Sequence, residues 1–233
     1  MNHTVGFIYA HPDDETFGCA CLIREVADQG GKTVLLCATR GDAGKTGRLG
    51  PMSKSELAAR REVELQKAGD IMGLSVIEHL GLPDGQLASY DRAFLADQIV
   101  SFINKHNPSV IVTFPEDGMS GHKDHIAIHH ATNEAVFSGR CPSVQKLYYN
   151  APFSARASNG KPPLQIEVSK HWPMKAKALL AHESQILSIE RVFGDLKTIP
   201  NNGFGQYESF VLVWEKGVHH PEREDRSIFD RVE

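Results

Sequence analysis

Several signatures that would name a function outright are missing from this chain of 233 residues. No apolar run is long enough to span a bilayer, and the N-terminus lacks the basic-then-apolar layout of a signal peptide, so the expectation is a cytoplasmic chain without a membrane partner. Positive charge is not in excess: 25 Lys and Arg stand against 29 Asp and Glu, and the aromatics, 8% of residues, are scattered. No basic stripe interleaved with stacking rings can be drawn, which argues against a nucleic-acid partner. Cysteine is scarce. Cys19, Cys21, Cys37 and Cys141 form no C-x-x-C, and a chain of this size needs no disulfides, so reduced and mostly buried thiols are expected. No G-x-S-x-G occurs, which removes the nucleophile turn of a serine hydrolase. GDAGKT looks like the end of a phosphate loop, but its first glycine would fall at Thr39; HESQI starts like a zinc-protease motif but carries Ile186 in the fifth place. Repeats, low-complexity tracts and linkers are also lacking.

What remains is an ordinary globular composition, 41% hydrophobic and 23% charged, long enough for one domain over residues 1–233 with a full core. Apolar runs of strand length alternate with helix-period segments, the pattern of a mainly parallel sheet with helices on both faces, an α/β, Rossmann-like fold. The runs TVGFIYA, KTVLLCAT, SVIEHLGL, PSVIVTFP, VQKLYYNAP, LQIEVS and YESFVLVW read as strands. Helices are expected through about Thr16 to Gln29, from a Ser53/Glu56 capping box to Gly73, through DRAFLADQIVSFINKHN, from near His122, and through MKAKALLAHESQILSIERV. The polar tail from about 217 reads as loose.

In such sheets ligands bind beyond the carboxyl ends of the strands, and that edge is where both HPDDE (11–15) and GHKDH (121–125) belong. Acids after the first strand suit a helix N-terminus, yet three of them behind a His-Pro step also suit a cation. Pro12 biases His11 toward extended backbone, and the adjacent Asp13 and Asp14 point in different directions. His122, His125 and His129 can share one helix face, with Asp124 among them. Imidazole and carboxylate are ready zinc ligands, and a catalytic site uses three with a position left for water.

A-H-P-D-D-E followed by a later H-x-D-H resembles the signature of the LmbE-like, or PIG-L, family of zinc-dependent N-deacetylases. G-D-x-G at Gly41–Gly44, R-x-x-E at Arg61 and Glu64, L-P-D-G at Leu82–Gly85 and A-H-E-S-Q at Ala181–Gln185 fall in the family's order. The resemblance implies that His11, Asp14 and His125 hold Zn2+ and that Asp13 is the general base. It also implies that a charged His122 stands near the tetrahedral intermediate while Asp124 fixes a histidine. Mixed nitrogen and oxygen ligands accept other divalent transition metals as well. Arg61, or its neighbour Arg60, is a candidate for binding a substrate carboxylate, the alternative being an exposed helix arginine. Asp84 is a candidate substrate contact or a turn residue, His182 a far-wall residue or a surface histidine, and Glu15 a first-turn acid. His129 and His130 compete with His125 for the metal.

The implied partner is a small N-acetylated sugar, with N-acetylglucosaminyl malate of bacillithiol biosynthesis the leading expectation. Other N-acetyl sugars or a thiol conjugate are the alternatives, and a non-catalytic sugar- or metal-binding protein is the rival from another class. By family analogy a homo-oligomer is expected.

Overall fold

The computed structural model describes residues 3–151, 164–222 and 224–233. Its centre is an eight-stranded sheet of order β3-β2-β1-β4-β5-β7-β6, with β8 paired to β7. The strands are β1 (Thr4–Tyr9), β2 (Lys32–Thr39), β3 (Val76–Leu82), β4 (Val110–Thr113), β5 (Lys146–Ala151), β6 (Leu164–Glu167), β7 (Tyr207–Glu215) and β8 (Val218–His219). β3, β2, β1, β4 and β5 run parallel, and β7 turns the rest of the sheet antiparallel. The parallel strands are nearly continuous apolar runs because helices cover both faces. Val5, Phe7, Ile8, Val34, Leu35, Val110 and Val112 lie fully inside. The α/β reading of the sequence is what the chain adopts.

The helices α1 (Asp14–Asp28), α2 (Lys54–Met72), α3 (Arg92–His106) and α4 (Lys123–Phe137) each follow a parallel strand. The Ser53/Glu56 capping box is present with both of its bonds, and Gly73 closes α2 in the left-handed region, as the spacing predicts. All four cysteines are free and buried. No helix is long and apolar enough to cross a membrane among the described residues.

Two expectations need correction. The long helix expected over MKAKALLAHESQILSIERV is broken: α5 (Trp172–Ala181) stops at His182, a 3-10 turn spans Glu183–Gln185, and α6 (Ile186–Phe193) restarts. The break has a cause in α2, where Glu64 accepts hydrogen bonds from the Ser184 amide and hydroxyl and so pulls the turn out of helical continuity. Nor is the tail loose among its described residues. β8 pairs with β7, Ile228 enters the core, and the buried Lys146 ammonium meets the buried Asp225 carboxylate at 2.9 Å. The strand expected over 144–152 is seen as β5, with Pro152 outside the described residues.

Because removing one member of a buried ion pair costs about 3–5 kcal/mol, Asp225→Ala is expected to lower the thermal unfolding midpoint by several degrees. An unchanged midpoint by circular dichroism would mean that the tail carries no stability.

Candidate active site

The C-terminal ends of four neighbouring parallel strands deliver the candidate residues to one edge. His11 follows β1 and precedes α1; Asp84 follows β3; the segment 114–122 leads from β4 to α4; and the glycine-rich loop follows β2. Since β1 lies between β2 and β4, HPDDE and GHKDH face each other without any long-range excursion of the chain.

His11 Nδ1 and His125 Nε2 lie 3.1 Å apart. Asp14 meets both, with Oδ2 at 3.4 Å from His11 Nδ1 and Oδ1 at 3.3 Å from His125 Nε2. The other nitrogens are spoken for: His125 Nδ1 is 2.9 Å from the Gly118 carbonyl, and His11 Nε2 faces Asp84 Oδ1 at 3.0 Å and Asp124 Oδ2 at 3.3 Å. A carbonyl and carboxylates can only accept, so those nitrogens carry the protons. The inward nitrogens of the two rings and the Asp14 carboxylate therefore converge on one point, which either protons or a cation can occupy. The 3.1 Å between the two nitrogens is close to the edge of a tetrahedron with bonds of ~2.0–2.1 Å, as zinc prefers, and Asp14 meets each nitrogen with a different oxygen. Ligand atoms of His11, His122 and His125, and those of His11, Asp84 and Asp124, lie within 4.8 Å of one another, so the His and Asp cluster at this edge fits a divalent metal.

The same geometry sets the charges. Burial opposes ionising both histidines and Asp14. Asp124, Asp14 and Asp84 nevertheless hold His11 well above the usual imidazole range, and Asp14 raises His125. His125 and His11 hold the Asp14 carboxyl well below the usual carboxylate range.

His125 is placed by its surroundings. Phe114 stacks flat on its ring at 4.0 Å, and Gly118, at φ 62°, brings its carbonyl close where a Cβ would lie 2.7 Å from that of His125. His129 is no rival for the metal. Buried, it pairs with the Phe114 carbonyl and Asn133, while His130 is exposed. Phe114 and Gly118 were not singled out from the sequence; the glycine in EDGMSG was the available signal.

Asp124 is fully buried, accepting from the Gly85 and Leu87 amides at 2.7 and 3.0 Å while it faces His11. Asp84, which also accepts from the Ala43 amide, stands behind His11 and not on a substrate-facing wall; this corrects its expected role as a substrate contact. Carboxylates so placed fix a ligand's ring orientation and basicity.

Asp13, beside the triad, is the N-cap of α1. Burial, opposed by Arg61, pushes its carboxyl up to about 6. His122 caps α4, its Nδ1 accepting from the Asp124 amide at 3.2 Å, so a neutral ring presents Nε2–H. Burial, with His11 and His125 nearby, lowers its affinity for a second proton. In this geometry the ring is neutral, whereas the resemblance implies a charged one near the intermediate.

The expected roles of Arg61 and His182 also change. Arg61 is buried, and its Nη groups donate to the Gly41 and Pro12 carbonyls. Arg60 is engaged by Glu64 and Glu183. Neither guanidinium is free for a substrate carboxylate. His182 is fully buried against Thr16 and Glu15 and lines no open wall. A-H-E-S-Q works as a strap: His182 ties to α1, Glu183 and Ser184 to α2, and Gln185 to the Lys45 carbonyl.

Metal uptake must displace the protons that the raised histidines keep. Binding is therefore expected to release protons and to tighten as pH rises through the His11 value, which lies above 6.5. Calorimetry in buffers of different ionisation enthalpy measures the release; its absence would mean that neither histidine keeps a second proton before the metal binds.

The family described as GlcNAc-PI de-N-acetylase, PIG-L, matches residues 7–136, more than half of the chain. A probable N-acetyl-alpha-D-glucosaminyl L-malate deacetylase 2 of Bacillus cereus is 34% identical over 195 residues, covering 79% of this chain and 84% of the relative. Among solved structures, the N,N'-diacetylchitobiose deacetylase of Pyrococcus horikoshii superimposes with a TM-score of 0.70 at 20% identity, over 90% of this chain and 83% of that one. The 4-carboxy-2-hydroxymuconate hydratase GalB of Pseudomonas putida reaches 0.69 at 18% identity, over 92% and 97%. These two likenesses speak for the fold; the matched family and the Bacillus relative, together with the His and Asp cluster at this edge, show that this chain is a metal-dependent amide hydrolase belonging to the PIG-L, or LmbE-like, family.

Proposed function

We propose that the chain removes the N-acetyl group from a small N-acetylglucosaminide, with zinc held by His11, Asp14 and His125. The observation that carries this reading is the convergence of two imidazole nitrogens and one carboxylate beside a second carboxylate that stays off the cluster. A divalent ion there supplies Lewis acidity, acidifying water and polarising a carbonyl oxygen. Asp13, with its value pushed up to about 6, is suited to accept a proton from the attacking water near neutral pH and to pass it to the leaving nitrogen. His122 Nε2–H donates to the oxyanion that develops as the amide carbonyl is attacked. Asp124 and Asp84 keep the His11 ring turned so that Nδ1 faces inward. Acetate and a free amine leave.

The family's description and the name of the Bacillus relative both point to glucosamine-type substrates. The malate conjugate is one such glycoside. The arginine that favoured it in the sequence is committed inside the fold, so N-acetylglucosaminides with other aglycones stand at least level with it. The GalB likeness is one of fold and brings no hydratase substrate to this site.

The deciding experiment measures acetate release from N-acetylglucosamine, diacetylchitobiose and N-acetylglucosaminyl malate. Turnover of at least one is expected, abolished by chelation. Asp13→Asn should lower the rate by about 10²–10⁴-fold while elemental analysis finds the metal retained. Ligand binding without acetate from the native chain would favour the non-catalytic rival.

A further inference from the structure

Asp13 adopts φ 138°, a backbone conformation rare for a residue with a Cβ, and such strain persists only where the surroundings over-determine it. Both polar atoms of the peptide leading into Asp13 are held. The Pro12 carbonyl accepts a 2.6 Å hydrogen bond from Arg61 Nη2, and the Asp13 amide donates to Glu15 Oε2 at 3.2 Å. The same Nη2 lies 3.3 Å from Asp13 Oδ2, so one corner of a guanidinium touches both the peptide and the carboxylate.

Each holder is itself held. Arg61 Nη1 donates to the Gly41 carbonyl at 3.1 Å. A Cβ on Gly44 would come within 2.6 Å of Nη1, and one on Gly41 closer still, so the two glycines of G-D-x-G form a slot that admits the guanidinium and nothing more. Glu15 Oε1 is met by His182 Nε2 at 3.4 Å, and the Thr16 hydroxyl bonds to both. Arg61, Glu15 and His182 are 3%, 0% and 0% exposed.

We infer that Arg61 and Glu15 are positioning residues that clamp the Pro12–Asp13 peptide from its two sides and so keep the Asp13 carboxylate off the metal while Asp14 coordinates. The inference rests on the reading of Asp13 as the base. It gives the three consecutive acids three separate tasks: proton acceptor, ligand and backbone clamp. Arg61 cannot also reach a substrate carboxylate without leaving its slot.

The test uses the metal-loaded full chain and the best substrate of the three named above. A misplacement of about 1 Å at a reacting group can cost on the order of 100-fold, so Arg61→Ala and Glu15→Ala are each expected to lower kcat by about that factor, with KM and bound metal little changed. Glu15→Gln retains an acceptor oxygen for the Asp13 amide and is expected to keep most of the rate. Added guanidinium is expected to raise the rate of Arg61→Ala by about tenfold, roughly 1.4 kcal/mol, and to leave Asp13→Asn unchanged. Should Arg61→Ala fail to fold, Gly44→Ala narrows the slot with the arginine in place and is expected to show the same loss confined to kcat. A loss confined to KM, a loss of metal in step with rate, or no difference between Glu15→Gln and Glu15→Ala would overturn the inference alone. Full activity of Asp13→Asn, or no acetate from the native chain, would overturn the base assignment and this inference with it.

Discussion

Two imidazole nitrogens and a carboxylate that face one another can share protons or a cation, and most of the functional edge of this protein exists to hold them so. The outward nitrogens of His11 and His125 are engaged by carboxylates and a carbonyl, which turns the other two inward, 3.1 Å apart. A metal binding there must compete with those protons. Its supports come from four successive strand ends: Asp84 beyond β3, the glycine slot beyond β2, HPDDE beyond β1, and Asp124 with Gly118 beyond β4.

The family's short motifs divide into those that do chemistry and those that hold it in place. Glu64 of R-x-x-E bonds to Ser184 of A-H-E-S-Q, and this single contact both ends α5 and joins the late strap to α2. L-P-D-G places Asp84 behind a ligand, and its Gly85 amide bonds to Asp124, so the second carboxylate behind His11 is fixed by the segment that supplies the first. These polar networks are buried and almost fully partnered, the condition under which they rigidify a site.

Solvent access separates the chemical residues from the structural ones more sharply than residue type does. His122 is exposed and presents a donor, whereas His129 and His182, of the same type, are sealed in the interior with carbonyl, amide or hydroxyl partners. Asp13 keeps partial access while Asp124 has none. A fold shared with a hydratase at a TM-score of 0.69 makes the same point at larger scale, since function resides in the site and not in the sheet that carries it.

The sequence by itself determined the alternation of strands and helices and the edge to which HPDDE and GHKDH would come, because periodicity and local spacing carry that information; a ligand set drawn from those His and Asp residues came from the family resemblance. It could not tell an arginine that binds substrate from one locked between two glycines, a histidine on a wall from one in the core, or a loose tail from one anchored at Lys146. Those distinctions depend on contacts between residues such as Arg61 with Pro12, Ser184 with Glu64, and Asp225 with Lys146. Partners twenty to well over a hundred positions apart meet only when the sheet brings them together, so burial and charge at each position were decided by the tertiary structure.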